Sequence, residues 1–226
     1  MMPVHDGERY LTEALDGILG QTSPPGEVVV VDDGSQDGTP EILERYGRSI
    51  RVLRQARAGQ FAAMNRSIEA SASPVLAFLD ADDLFTPRSI ELRLIRLNAE
   101  DDPDAVFGRT EQFVSPELTA EEAARLRFEA GPVRGELFQT MMIRRAAFER
   151  VGPLDTSLRT ASNVDWISRA RVAGILSVEI DEVVARRRLH TTNIGITAAR
   201  QKRDDLLSVV RAHRRRSFGA DGGPEG

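Results

Sequence analysis

The chain has 226 residues, of which 41% are hydrophobic and 29% charged, a composition that excludes a disordered polypeptide. A formal net charge of -5 and a pI near 5.4 count against a nucleic-acid-binding protein, and the lack of cysteine rules out disulfides, thiolate zinc sites and a thiol nucleophile. The longest aliphatic run, Val28 to Val31, falls far short of the ~20 apolar residues of a membrane span, and the start MMPVHDGERY has neither the basic nor the apolar part of a signal peptide. A single cytoplasmic domain without a transmembrane segment is the expectation. Arginine supplies nearly all the positive charge, Lys202 being the one lysine.

Residues 8–19 place Leu11, Ala14, Leu15, Ile18 and Leu19 on one face of a helix. Pro24-Pro25-Gly26 breaks the chain, and residues 27–31, with four consecutive β-branched valines after Glu27 and no polar alternation, suit a strand buried on both faces. It delivers Asp32-Asp33-Gly34-Ser35 as a turn. A helix over 39–46 and a strand over 51–54 follow, then a helix over 59–70 ended by Pro74. Residues 75–79 are another apolar strand, delivering Asp80-Ala81-Asp82-Asp83, and Thr86-Pro87 opens a helix to about residue 99.

Short apolar strands alternating with helices predict an α/β fold with an open, mainly parallel sheet. Ligands bind such sheets outside the carboxyl ends of the strands, so the two aspartate clusters should share one crevice. The second half is less regular: strands over 105–113, 140–143, 176–180 and 183–187, and helices over 117–127, 145–151, 164–173 and 198–216. From Phe218 the chain is Gly-rich and reads as disordered.

Asp80, Asp82 and Asp83 at a strand end are a natural divalent-cation site, because hard cations prefer oxygen ligands and bridge them to phosphates. Acidic turn residues are also common without an ion. What sets these apart is their company. VVVVDDGSQDGTPEIL, GQFAAMNRSIEAS and LAFLDADDLFTP resemble, in order and spacing, the successive N-terminal motifs of family 2 glycosyltransferases, and TMMIRRAAFERVGPLD and VVARRRLHTTN resemble the family's acceptor-side and closing segments.

The resemblance implies a GT-A fold: a Rossmann-like open mixed sheet flanked by helices. It implies one domain over 1–217, with a nucleotide-sugar-binding half (1–100), an acceptor half (101–195), a terminal helix (196–217) and a tail (218–226). It places Asp33, with Asp32 beside it, at the nucleotide base, where a carboxylate can accept the imide N–H of uracil. Val4, His5, Asn65 and Asp80 join the nucleotide-binding set. Asp82 becomes the ligand of Mn2+ or Mg2+, with His190 approaching the metal or the diphosphate. The partners implied are a nucleotide-sugar donor and an acceptor hydroxyl, joined with inversion.

Three departures qualify this. The family's general base is the aspartate of a Glu-Asp pair, which aligns here with Ser162-Asn163; Asp165, next to Trp166, is the nearby carboxylate and the candidate base, or else a helix N-terminal aspartate facing the macrodipole. Met64 and Ser67 replace a usual arginine and glycine around Asn65. The apolar first strand is almost missing ahead of Pro3, which suggests a true start upstream. A degenerate nucleotide-sugar-binding module is therefore the alternative to an enzyme. A nucleotidyltransferase fits less well, because residues 3–7 hold one glycine and no lysine with which to grip a triphosphate.

Overall fold

The computed structural model describes residues 1–126, 128–193 and 199–218. The strand that the sequence leaves almost missing is formed: β1 (Met2–Val4) has all three residues buried and pairs in parallel with β2 (Val29–Asp32). β2 in turn pairs in parallel with β3 (Arg51–Arg54), giving the order β1-β2-β3. Val29, Val30 and Val31 have no exposed surface, as expected of a strand covered on both faces.

Helix α1 (Leu11–Leu19) buries Leu11, Ala14, Leu15 and Ile18, the face that its periodicity marks. These residues pack with Val4, Val30 and, from α2 (Thr39–Arg45), Ile42 and Leu43 in one apolar cluster. Helix α3 (Gln60–Ala70) starts from Gly59, whose φ of +100° is open to glycine at little cost.

The second sheet has the order β4 (Val75–Ala77), β8 (Met141–Arg144), β6 (Ala105–Val114), β9 (Ser177–Leu189), β5 (Leu84–Phe85), with β7 (Pro132–Val133) also on β6. Only β6 and β9 run parallel among these pairs. The mainly parallel sheet expected from strand–helix alternation thus holds for β1–β3, whereas the second sheet is mixed. Periodicity marks a strand but not the direction of its neighbour. The sheets meet where Met1 N donates to Ala77 O at 2.7 Å and Leu79 N donates to Met1 O at 3.1 Å.

Helix α4 (Ser89–Leu97) lies against β6, β8 and β9, and Ile90 and Leu97 pack on Val106 and Met142. A short helix, α5 (Ala120–Ala124), starts at a Thr119–Glu122 capping box, shorter than the helix expected there. Helices α6 (Arg145–Val151) and α7 (Ser162–Val172) cover an aromatic core in which Phe148 stacks on Trp166 at 4.8 Å and Phe138 meets Trp166 edge-on at 5.5 Å. The two strands expected over 176–187 are one continuous β9. The last helix, α8 (Ala199–Phe218), packs on α7; the tail beyond residue 218 lies outside the described residues.

Candidate functional site

The carboxyl ends of β1 and β2 lie side by side. Val4 is the register partner of Asp32, and Val4 O accepts from Asp33 N at 2.8 Å. His5 Nδ1 lies 3.0 Å from Asp33 O. Val4, His5, Asp32 and Asp33 therefore converge. Asp32 Oδ1 accepts from Ser35 N at 2.9 Å, closing the turn after β2. Gly34 has φ +77°, and a Cβ there would stand 3.0 Å from Arg57 N, so the DDGS turn requires its glycine.

Asp33 is 3% exposed. Its Oδ1 accepts from Gln55 Nε2 (2.7 Å) and Ala58 N (2.8 Å), and its Oδ2 from Gly59 N (2.8 Å). The carboxylate thus organises loop 55–59. The next residue, Gln60, donates from Nε2 to Asp80 Oδ1 at 2.8 Å. Two consecutive residues, Gly59 and Gln60, tie the first acidic cluster to the second. Gln60 was not singled out from the sequence, although it stands in the GQFAAMN motif.

Asp80, Asp82 and Asp83 each offer a carboxylate oxygen within 4.8 Å of the others. Burial, followed by the neighbouring Asp82 charge, pushes Asp80 up to about 6. The same causes, with Asp80 added, raise Asp83 well above the usual carboxylate range. Crowded acids that resist ionisation are the donor set a divalent cation relieves, so the residues present fit one.

The end of β9 completes the cluster. His190 Nε2 lies 3.0 Å from Asp82 Oδ2, and Asn193 Nδ2 donates to the same oxygen at 3.2 Å. His190 Nδ1 lies 2.8 Å from Thr192 Oγ1, and its ring packs on Tyr10 with centroids 4.8 Å apart. Arg188 is buried between the rings of Tyr10 and Phe113, at 4.7 Å from each. Its backbone N donates to Asp83 Oδ1 (2.9 Å), its Nε to Asp82 O (3.0 Å), and its remaining nitrogens reach Ser115 and Glu13. Of the three arginines 186–188, Arg188 is hydrogen-bonded into the site, and the Arg187 charge also acts on Asp80 and Asp83. Sequence reading missed Tyr10, whose role shows only once α1 and β9 are brought together.

Two candidates stand in different surroundings. Asn65 exchanges two hydrogen bonds with the Leu154 backbone, Nδ2 to O and Leu154 N to Oδ1, both 2.9 Å. This clips α3 to the segment after α6. Asp165 is 5% exposed in the first turn of α7, and its Oδ2 accepts from Arg169 Nε at 2.8 Å. Arg169 also donates to Val151 O and Pro153 O, each at 2.7 Å. Asn163 is half-buried, and its Oδ1 accepts from Val164 N at 2.9 Å.

The model of the family "Glycosyl transferase family 2" matches residues 1–152. An uncharacterized glycosyltransferase of Rickettsia typhi is 30% identical over 215 residues, 89% of this chain and 66% of that protein. The glycosyltransferase AglE of Haloferax volcanii is 29% identical over 186 residues, 77% of this chain and 61% of that protein. Among solved structures, S. aureus TarS 1-349 in complex with UDP-GlcNAc superposes with a TM-score of 0.76 at 18% identity, over 98% of this chain and 66% of that one. The mannosyltransferase PcManGT from Pyrobaculum calidifontis, in complex with GDP-Man and Mn2+, gives 0.69 at 20% identity, over 99% of this chain and 64% of that one. The chain spans about two thirds of the length of these relatives. With the ordered motifs, the two joined acidic clusters and a family match over most of its length, the chain belongs to glycosyl transferase family 2 and has the GT-A fold.

Proposed function

We propose that the chain transfers a sugar, of hexose type, from a nucleoside diphosphate donor to an acceptor hydroxyl, with inversion and without a covalent intermediate. The observation that carries this reading is the meeting of His190 with Asp82 at 3.0 Å across 108 residues of sequence, beside two further carboxylates. Asp82 and His190 would hold Mn2+ or Mg2+, with Asp80 nearer the ribose. Such a cation, when bound, offsets the charge that develops on the departing diphosphate. The ends of β1 and β2 face the nucleoside: Val4 and His5 line it, and Asp33 acts on the base together with loop 55–59, which it fixes.

A uridine donor is favoured by the carboxylate at Asp33 and by the likeness to TarS, whose structure holds UDP-GlcNAc; PcManGT holds GDP-Man, so the base is part of the test. Thermal unfolding of the chain with a panel of UDP- and GDP-sugars, with and without Mn2+, should show metal-dependent stabilisation by UDP-sugars. Lack of stabilisation by any of them would overturn the reading, and selectivity for GDP-sugars would overturn the base assignment.

A second reading, a nucleotide-sugar-binding module without turnover, is favoured by one observation. Asp165, the candidate base, is buried and ion-paired with Arg169, and Asn163 stands where the family's aspartate is expected. An acceptor hydroxyl could reach Asp165 only with rearrangement of that pair. Donor stabilisation without donor hydrolysis or sugar transfer would select this reading.

A further inference from the structure

Glu117 lies outside the acidic cluster, at the start of the segment that leaves β6. Its Oε1 accepts from the Tyr10 hydroxyl at 2.5 Å, and its Oε2 from Ser115 Oγ at 2.6 Å. Arg9 Nε stands 3.3 Å from Oε1. Desolvation opposes the charge, but the hydrogen bonds from Ser115 and Tyr10 prevail and bring the carboxyl down to about 2, so the group is a full acceptor near neutral pH.

Both of these donors also hold the end of β9. The Tyr10 ring packs on His190 with centroids 4.8 Å apart and lies 4.7 Å from the Arg188 guanidinium. Ser115, 1% exposed, donates from its backbone N to Leu189 O at 3.0 Å, and its Oγ accepts from Arg188 Nη1 at 3.4 Å. Arg188, Leu189 and His190 are thus gripped by two residues that converge on one carboxylate. A ring held only by stacking can rock against its neighbour, whereas a hydrogen bond at its far end removes that freedom.

We propose that Glu117 is a positioning residue for His190: it fixes Tyr10 and Ser115, and through them sets where the imidazole stands against Asp82. Partners behind a metal ligand orient it in this way. The effect on a bound cation rests on the reading of Asp82 and His190 as its ligands; the effect on the imidazole itself does not. The arrangement also ties the segment after β6 to α1 and β9 at the site.

The test uses the full chain with Tyr10→Phe, which keeps the ring and removes the hydroxyl, with Glu117→Ala, and with both. The Glu117 side chain is 28% exposed, so its loss opens no core cavity. Without metal, the three histidines give separate imidazole C–H signals by NMR, and His190→Ala identifies that of His190. Each single variant should shift the His190 signal and leave those of His5 and His213 in place. Calorimetry should show Mn2+ affinity falling about tenfold in each, with the double variant no weaker than Glu117→Ala, because the two groups act through one bond. Glu117→Gln, whose amide oxygen can still accept from Tyr10, should recover part of the loss. An unmoved His190 signal, equal shifts at all three histidines, or losses that add in the double variant would overturn the proposal. A parent chain that binds no Mn2+ would overturn the metal-centre reading, and the His190 signal would then decide by itself whether Glu117 holds the imidazole.

Discussion

His190 Nε2 stands 3.0 Å from Asp82 Oδ2, although 108 residues separate them, and Tyr10 and Thr192 fix the imidazole from its face and from Nδ1. Both contacts come from outside the acidic cluster and position the imidazole against Asp82. His190→Ala should therefore weaken Mn2+ binding by roughly 10–100-fold, and Asp82→Ala should abolish it, both measured by calorimetry. Unchanged affinity in Asp82→Ala would remove this site as the metal centre.

Asp80 gives the site a pH dependence. Its folded value is about 6 against 3.8 for the free group, so between these values the folded chain keeps a proton that the unfolded chain has released. The stability it contributes is complete below about pH 4 and is lost as pH rises toward 6. Cation binding requires the ionised form and runs the other way. Melting temperatures of the metal-free chain should show this component falling between about pH 4 and 6, while the shift caused by Mn2+ grows over the same range and beyond. A Mn2+ shift that is flat or falls with pH would contradict this.

Replacing Asp33 tests the loop rather than the ion. Asp33→Ala removes the acceptor from Ala58 N, Gly59 N and Gln55 Nε2. Each group left buried and unpaired costs about 1–3 kcal/mol, so chemical denaturation should show a clear loss. Gln60→Ala, which cuts only the bond to Asp80, should leave stability nearly intact while weakening donor binding. Equal stability losses in the two variants would show that loop 55–59 is not organised from Asp33.

Asp165→Asn separates the two functional readings. If Asp165 takes the acceptor proton, the variant loses transfer, keeps donor-induced stabilisation and changes its pH–rate profile. If it serves to hold Arg169 against Val151 and Pro153, the main effect is a lower melting temperature, and any turnover present in the parent survives.

At Gly108, an added Cβ would stand 2.5 Å from both Val184 methyl carbons, at the point where the β6–β9 register shifts. Gly108→Ala should destabilise the chain by about 1–3 kcal/mol through overpacking, and Gly108→Ala with Val184→Ala should recover part of that. An unfolding midpoint equal to that of the parent would show that the strands separate easily here.

Much of the fold was legible because buried strands and amphipathic helices leave local signatures. The apolar run before Asp32 and the periodicity from Leu11 to Ile18 follow from burial on two faces or on one. The acidic clusters were legible for the same reason: each closes a strand, and chain ends of parallel strands point to one edge. The three-residue β1 was missed because its stability comes from β2 and from Ala77 and Leu79, not from its own composition.

What only the tertiary structure decided is who meets whom. Asp33 and Asp80 are joined by Gly59 and Gln60, Arg188 is caged by Tyr10 and Phe113, and Asn65 is engaged with Leu154. A sequence fixes the chemistry of each side chain. Which hydrogen-bonding groups remain open to a ligand depends on partners that can lie over a hundred residues away, and these are set only when the packed core closes.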